Sequence, residues 1–164
     1  MGGAALQCCD NAANFEDFSP GGSGVGHLCR GSLGGITKPH AVLYREDVNR
    51  IYVTDGVDGE VKIFDGTTYA PQPSVKLLED ADSIGFDPAT KYLYIDNGGG
   101  DVHEKYSMLS VVDTTAGKKL ADIKVDGDTL EAMALEKLGP RIYVNNRDKN
   151  TGDVVDRELA RDQR

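Results

Sequence analysis

The sequence predicts an all-β protein built from three similar antiparallel units. One pattern, in which an apolar residue, a tyrosine, a β-branched residue and a small polar residue follow one another, occurs three times. It stands at residues 51–54 (Ile-Tyr-Val-Thr), 93–96 (Leu-Tyr-Ile-Asp) and 142–145 (Ile-Tyr-Val-Asn). This pattern is typical of a short, mostly buried strand that leads into a turn. The 20 glycines among 164 residues also favour tight turns over long helices.

Length and charge restrict the class of protein. A chain of 164 residues can form one domain that buries roughly two-thirds of its unfolded surface. Its net charge of −9 argues against nucleic acid and anionic membrane surfaces as partners, because phosphate groups require a clustered Lys/Arg surface. No apolar run approaches the roughly 18 residues that a membrane-spanning helix needs.

Residues 1–35 are predicted to be a flexible, Gly-rich leader. They show neither helical nor strand periodicity, and they lack the charged and apolar regions of a secretion signal. All three cysteines of the chain, Cys8, Cys9 and Cys29, fall here. Because their number is odd and their spacing does not match a zinc site, we interpret them as incidental thiols.

The first unit contains four predicted strands. Residues 41–44 and 51–54 are separated by a polar turn, and residues 60–65 alternate charged with apolar side chains as a half-exposed strand does. Residues 75–78 are expected to form an outer strand.

The second unit repeats this order and the third ends early. Strands are predicted at 83–86, 92–96, 108–113 and 119–125, then at 132–135, 142–145 and 153–156. A charged tail, residues 157–164, stands where the third unit would need its outer strand.

The spacing of equivalent residues indicates a β-propeller. Tyr52 and Tyr94 are 42 residues apart, and Tyr94 and Tyr143 are 49 apart. Repeats of about 40–50 residues with four strands each are typical of propeller blades.

The repeats resemble the YVTN-type β-propeller repeat. The similarity is clearest at residues 94–97 (Tyr-Ile-Asp-Asn) and 111–118 (Val-Val-Asp-Thr-Thr-Ala-Gly-Lys), and it covers about residues 36–156. The resemblance implies a partial propeller of two full blades and most of a third. Families with this repeat include extracytoplasmic binding proteins and sugar-lactone hydrolases, which implies a periplasmic or extracellular location.

Three blades are too few for a closed ring, which has about four to eight. We therefore expect a homo-oligomer, most simply a dimer that completes a ring of six blades. A compact β-sandwich made from the same strands is the alternative.

Alignment on the tyrosines places His40, Asp82 and Glu131 at equivalent positions, each just before the first strand of its blade. Because first strands line the central channel of a propeller, we expect these side chains to converge near its mouth. A set that is rich in carboxylates suits Ca²⁺ better than zinc, which predicts a metal held by Asp82 and Glu131. Histidine, with an ordinary pKa of about 6.5, can serve as a general base.

The resemblance to propeller lactonases implies a hydrolase that opens a cyclic ester, although the lactonase motif cannot be matched residue by residue. The alignment of the units gives His40, Asp82 and Glu131 as the candidate catalytic residues. Two alternatives remain. The three side chains can simply satisfy backbone donors in polar turns, and the chain can be a non-catalytic propeller fragment that binds a ligand or a protein. Ser83, next to Asp82, is a further candidate nucleophile, although no strand-turn-helix context supports it.

Overall fold

A computed structural model of the protein describes residues 32–160. From Ile36 onward these residues belong to one compact unit. The predicted leader, with its three cysteines, falls almost wholly outside the described residues, as does the end of the charged tail.

Eleven strands form three antiparallel sheets in the described part of the chain. Sheet 1 contains β1 (Pro39–Arg45), β2 (Arg50–Asp55), β3 (Glu60–Asp65) and β4 (Pro71–Lys76). Sheet 2 contains β5 (Ile84–Asp87), β6 (Tyr92–Gly98), β7 (Tyr106–Asp113) and β8 (Lys118–Asp126). Sheet 3 contains β9 (Leu130–Leu135), β10 (Arg141–Asn146) and β11 (Thr151–Asp156).

Strands follow one another in sequence order within each sheet, and the repeated tyrosine lies on the second strand. Tyr52 pairs with Leu43 on one side and with Ile63 on the other. The predicted all-β fold of a partial propeller, with two four-stranded sheets and a third that lacks its outer strand, is therefore confirmed.

Two apolar cores lie between successive sheets. Tyr52 of sheet 1 packs with Leu93 and Ile95 of sheet 2, and Tyr94 of sheet 2 packs with Ile142 and Val144 of sheet 3. The alternation of side chains along each second strand produces both contacts, because successive residues point to opposite faces. The middle sheet is thus covered on both faces.

The outer strand of sheet 1 differs from the prediction. It begins at Pro71 and ends at Lys76, whereas the sequence favoured residues 75–78. A proline cannot donate to a ladder, but an edge strand needs partners on one side only and tolerates it. Leu77, beyond the strand, packs into the first core.

Short 3₁₀ helices occupy Glu46–Val48, Gly99–Val102 and Arg157–Ala160. Arg157 fixes the last of these, because its guanidinium pairs with Asp87 at 2.9 Å and donates to the carbonyl groups of Glu136 and Gly139. None of the helices within residues 32–160 is long and apolar enough to cross a membrane.

Candidate functional site

The first strands of the three sheets lie beside one another. β1 contacts β5, and β5 contacts β9. Asp82 lies two residues before β5, as the prediction had it, whereas His40 lies within β1 and Glu131 within β9 rather than before them. The fold therefore positions all three predicted site residues along this series of inner strands.

His40 and Asp82 form a pair across the junction of sheets 1 and 2. The Nδ1 atom of His40 lies 3.2 Å from Oδ1 of Asp82, and the two side chains are 20% and 27% exposed. When Nδ1 of a neutral His40 ring carries the proton and donates a hydrogen bond to this carboxylate, Nε2 keeps its lone pair. Such a pair can act in acid–base chemistry while remaining accessible to a small molecule.

Thr54 holds the backbone on both sides of this pair. Its hydroxyl accepts a hydrogen bond from the Ala41 N–H at 2.8 Å and donates one to the carbonyl of Asp82 at 2.5 Å. The side chain is fully buried. Because Ala41 adjoins His40, Thr54 fixes β1 against the segment that carries Asp82.

Gly56 leaves room for the histidine ring. Its N–H donates to the Lys38 carbonyl at 2.9 Å, and its carbonyl accepts from the Asp80 N–H at 2.7 Å. A Cβ atom at this position would stand 2.8 Å from Nε2 of His40. Any side chain here would therefore push against the nitrogen that is free to act as a base.

Asp96 is a residue of this site that the sequence interpretation missed. It is 2% exposed, and neither carboxyl oxygen has a hydrogen-bond partner among the described residues. Burial and the nearby charges of Asp82 and Asp80 raise the pKa of Asp96 well above its ordinary value, although the facing amides of Ser83 and Asp96 itself oppose the shift. The fold therefore favours the protonated form of Asp96 relative to an ordinary aspartate.

A second carboxyl group close by is also perturbed. Burial and the charge of Asp101 raise the pKa of Asp80, and Lys38 opposes them. The Lys38 ammonium lies 3.6 Å from Asp80 and 3.9 Å from Asp101. The surroundings of His40 are thus rich in carboxyl groups.

Glu131 makes a different contact from the one the alignment suggested. Its carboxylate pairs with the Arg147 guanidinium at 3.3 Å and is 40% exposed. No group of three or more His, Cys, Asp or Glu side chains within residues 32–160 is arranged to hold a metal ion. Asp82 and Glu131 therefore do not belong to such a group among the described residues, and the Ca²⁺ site stays a prediction.

Ser83 has a structural contact. Its Oγ accepts a hydrogen bond from the N–H of Met133 at 3.1 Å and so links the start of sheet 2 to sheet 3. The role of nucleophile is not needed to explain its position.

The aligned repeats point to the position that Thr54 and Asp96 share. The two residues occupy the same position after the repeated tyrosine, as does Asn145 in the third unit. A carboxylic acid that replaces a threonine at a buried position is unusual, and it could have been noted from the alignment.

No protein-family model and no curated protein sequence matches the chain. Solved structures do resemble it. One is hydrazine synthase from Kuenenia stuttgartiensis, with a TM-score of 0.64 and 17% identity. Another is a candidate 6-phosphogluconolactonase from Bacteroides fragilis, with a TM-score of 0.56 and 23% identity. Each match covers 74% of this chain but 35% of the other, so the chain spans about a third of the length of either neighbour. At these identities the likeness establishes the fold alone.

Proposed function

We propose that the protein is a YVTN-type repeat protein that hydrolyses a cyclic ester, with His40 as the general base and Asp82 as the group that orients it. The observation that carries the proposal is the contact of 3.2 Å between Nδ1 of His40 and Oδ1 of Asp82. The likeness to a candidate 6-phosphogluconolactonase, a lactone hydrolase by name, supports the reaction class.

The reaction requires one water molecule and no redox partner. Nε2 of His40 accepts a proton from water while the water oxygen attacks the lactone carbonyl. The ring C–O bond then breaks, and the imidazolium returns the proton to the departing alkoxide. The product is the open hydroxy acid. Asp82 stabilises the imidazolium that forms between the two steps, and general base catalysis of this kind contributes about 10²- to 10⁴-fold.

Charge near the site narrows the class of lactone. Carboxyl groups outnumber cations there, because Lys38 is accompanied by Asp80, Asp82 and Asp101. A phosphate group on the substrate would be repelled by this field. We therefore propose a lactone without phosphate, in contrast to the substrate in the name of the Bacteroides neighbour.

The proposal is tested by measuring hydrolysis of neutral lactones and of a phosphorylated lactone by the purified chain. His40→Gln and Asp82→Asn should each lower kcat by about 10²-fold or more. The matched control is His103→Asn, since His103 lies in the loop of sheet 2 with φ of 62°, which asparagine tolerates. Full activity of His40→Gln would refute the role of the pair.

A separate arm tests the metal predicted from the sequence. Activity that survives a chelator agrees with a metal-free reaction. Activity that disappears and returns with Ca²⁺ would contradict the steps above and would restore Asp82 and Glu131 as candidate ligands.

Binding of a partner without catalysis is a second candidate function. The observation that favours it is the exposure of two apolar side chains on sheet 3, Tyr143 at 43% and Val154 at 60%. Absence of turnover on every lactone, together with stable association of this face with another protein surface, would favour binding over hydrolysis.

A further inference from the structure

Each sheet carries a row of three residues that pair across its first three strands. The centre of the row is the repeated tyrosine, and we call the set the tyrosine row. The rows are Leu43–Tyr52–Ile63, Gly85–Tyr94–Val111 and Ala134–Tyr143–Val154.

Two of the three rows are covered by the next sheet. Tyr52 is 1% exposed and Tyr94 is 3% exposed, because sheets 2 and 3 pack on them. The row of sheet 3 has no following sheet among residues 32–160, and Tyr143 is 43% exposed. The third row therefore repeats an interface that the chain forms twice internally, with one side missing.

The covering surface is also a repeated feature. Sheet 2 covers the first row with Leu93 and Ile95 of β6, Val112 of β7, and Ile84 and Phe86 of β5. Sheet 3 covers the second row with the equivalent residues Ile142, Val144, Val155, Met133 and Leu135. We call this set the covering face.

Sheet 1 has a covering face of its own, with no preceding sheet among residues 32–160. The equivalent residues are Ile51, Val53, Phe64, Val42 and Tyr44, all of which are apolar or aromatic. Val42 is 67% exposed and Tyr44 is 54% exposed, while Val53 and Phe64 are already buried at 4% and 3%. The counterparts of Val42 and Tyr44 in sheet 2, Ile84 and Phe86, pack against sheet 1. Within the described residues, the tyrosine row of sheet 3 is therefore uncovered, and the covering face of sheet 1 is uncovered at Val42 and Tyr44.

We propose that a second copy of this chain supplies both complements, so that the covering face of each copy packs on the tyrosine row of the other. The contact continues the two interfaces already present between successive sheets. Two copies of three sheets give a ring of six, within the four to eight that close a propeller. A two-fold axis relates the copies and leaves neither face open. The inference is independent of lactone hydrolysis.

Charge gives this association a recognisable salt dependence. Each copy carries a net charge of −9, so the copies repel at low ionic strength, and salt screens that repulsion over about 10 Å at 0.1 M. Because the two faces are apolar, salt does not weaken their contact. The pair should therefore tighten between 20 and 300 mM NaCl (roughly one tenth to twice physiological ionic strength).

The test is the mass of the full chain in solution, measured by light scattering and sedimentation over a range of concentrations. The expected mass is twice the 17.6 kDa of one chain. Val154→Arg in the tyrosine row and Val42→Arg in the covering face should each shift the mass toward one chain. Both residues are exposed, so circular dichroism should show an unchanged fold. The control is Val57→Arg, because Val57 is 53% exposed but lies in the β2–β3 turn, outside both surfaces.

Mixing the two variants distinguishes the proposed contact from a general loss of solubility. Val154→Arg retains a normal covering face, and Val42→Arg retains a normal tyrosine row. A mixture can form one intact contact and should contain pairs that neither variant forms alone. A single-chain mass for the unmodified protein at high micromolar concentration would overturn the proposal. Open polymers, or equal dissociation by Val57→Arg, would overturn it as well.

Discussion

Asp96→Asn should stabilise the protein at neutral pH and remove part of its pH dependence. The Asp96 carboxyl is buried without a hydrogen-bond partner among the described residues, and an unsatisfied buried polar group costs about 1–3 kcal/mol. Asparagine has nearly the same shape, carries no charge and already stands at the equivalent position of the third unit, as Asn145.

The direction of this pH dependence follows from the number of protons that the folded and unfolded states bind. Burial, with the charges of Asp82 and Asp80, raises the pKa of Asp96 in the folded state. In the unfolded chain the pKa of an aspartate is about 3.9. Between these two pKa values the folded protein binds more protons than the unfolded chain. Stability then falls as pH rises through this window, by roughly 1.4 kcal/mol per pH unit for one proton. Below the window both states are protonated, and the penalty vanishes.

Urea denaturation of the wild type and of Asp96→Asn between pH 4 and pH 8 measures the effect. We expect similar stabilities near pH 4 and an advantage for the variant of about 1–3 kcal/mol or more at pH 7, or roughly 2–4 °C in Tm per kcal/mol for a chain of this size. A variant that is less stable at pH 7 and follows the same pH curve as the wild type would refute the reasoning.

Asp55→Asn is the matched control, because Asp55 is equally buried but fully bonded. It accepts hydrogen bonds from the N–H groups of Thr37 at 2.7 Å and Lys38 at 3.0 Å. Burial alone would raise its pKa, but these amides and the charge of Lys62 hold it below its ordinary value. The variant should lose about 1.5–3 kcal/mol at pH 7, and the loss should shrink as pH falls through the folded pKa.

Three further substitutions test the framework of the site. Thr54→Val removes both hydrogen bonds of a buried hydroxyl, so the free energy of unfolding should fall by about 1–3 kcal/mol in urea, whereas Thr54→Ser should lose less. Gly56→Ala places a Cβ 2.8 Å from Nε2 of His40 and should shift the imidazole NMR signals and lower hydrolysis; Gly152→Ala, with open space around it, should do neither. Tyr52→Phe removes a buried hydroxyl that has no partner among residues 32–160, so stability measured by thermal unfolding should stay level or rise by up to about 1 kcal/mol, and a clear loss would contradict that burial.

Much of the fold could be predicted because every unit repeats the same local rules. The tyrosine pattern fixed the second strand of each sheet, and the spacing of Tyr52, Tyr94 and Tyr143 fixed the order of the units. The boundary of β4 could not be read in this way. An edge strand is stabilised by pairing on one side, so its composition is less constrained. β4 begins at Pro71, and proline is not typical of a strand.

The site was predictable only where it follows the repeat. Alignment put His40 and Asp82 at equivalent positions of neighbouring units, and the two side chains lie 3.2 Å apart. Alignment reports position along the chain. Alignment does not report which group a long side chain reaches. Glu131 is the example, because its carboxylate pairs with Arg147. The pKa of Asp96 depends on burial and on two carboxyl groups from another segment, which no local pattern contains.

The position shared by Thr54, Asp96 and Asn145 shows why departures from a repeat are informative. Thr54 can donate and accept, and it satisfies both neighbouring backbones, so a neutral residue fulfils the structural need. Burial at the same place in sheet 2 favours the protonated form of a carboxylic acid, and neither carboxyl oxygen of Asp96 has a hydrogen-bond partner within the described residues. Natural chains retain such a cost chiefly where it serves function. The acid lies against the segment of Asp82, whose N–H donates to the Asp96 carbonyl at 3.0 Å, and Asp82 in turn holds His40. The features that the units share therefore set the scaffold, and Asp96 marks a position at which sheet 2 departs from that pattern beside the proposed His40–Asp82 pair.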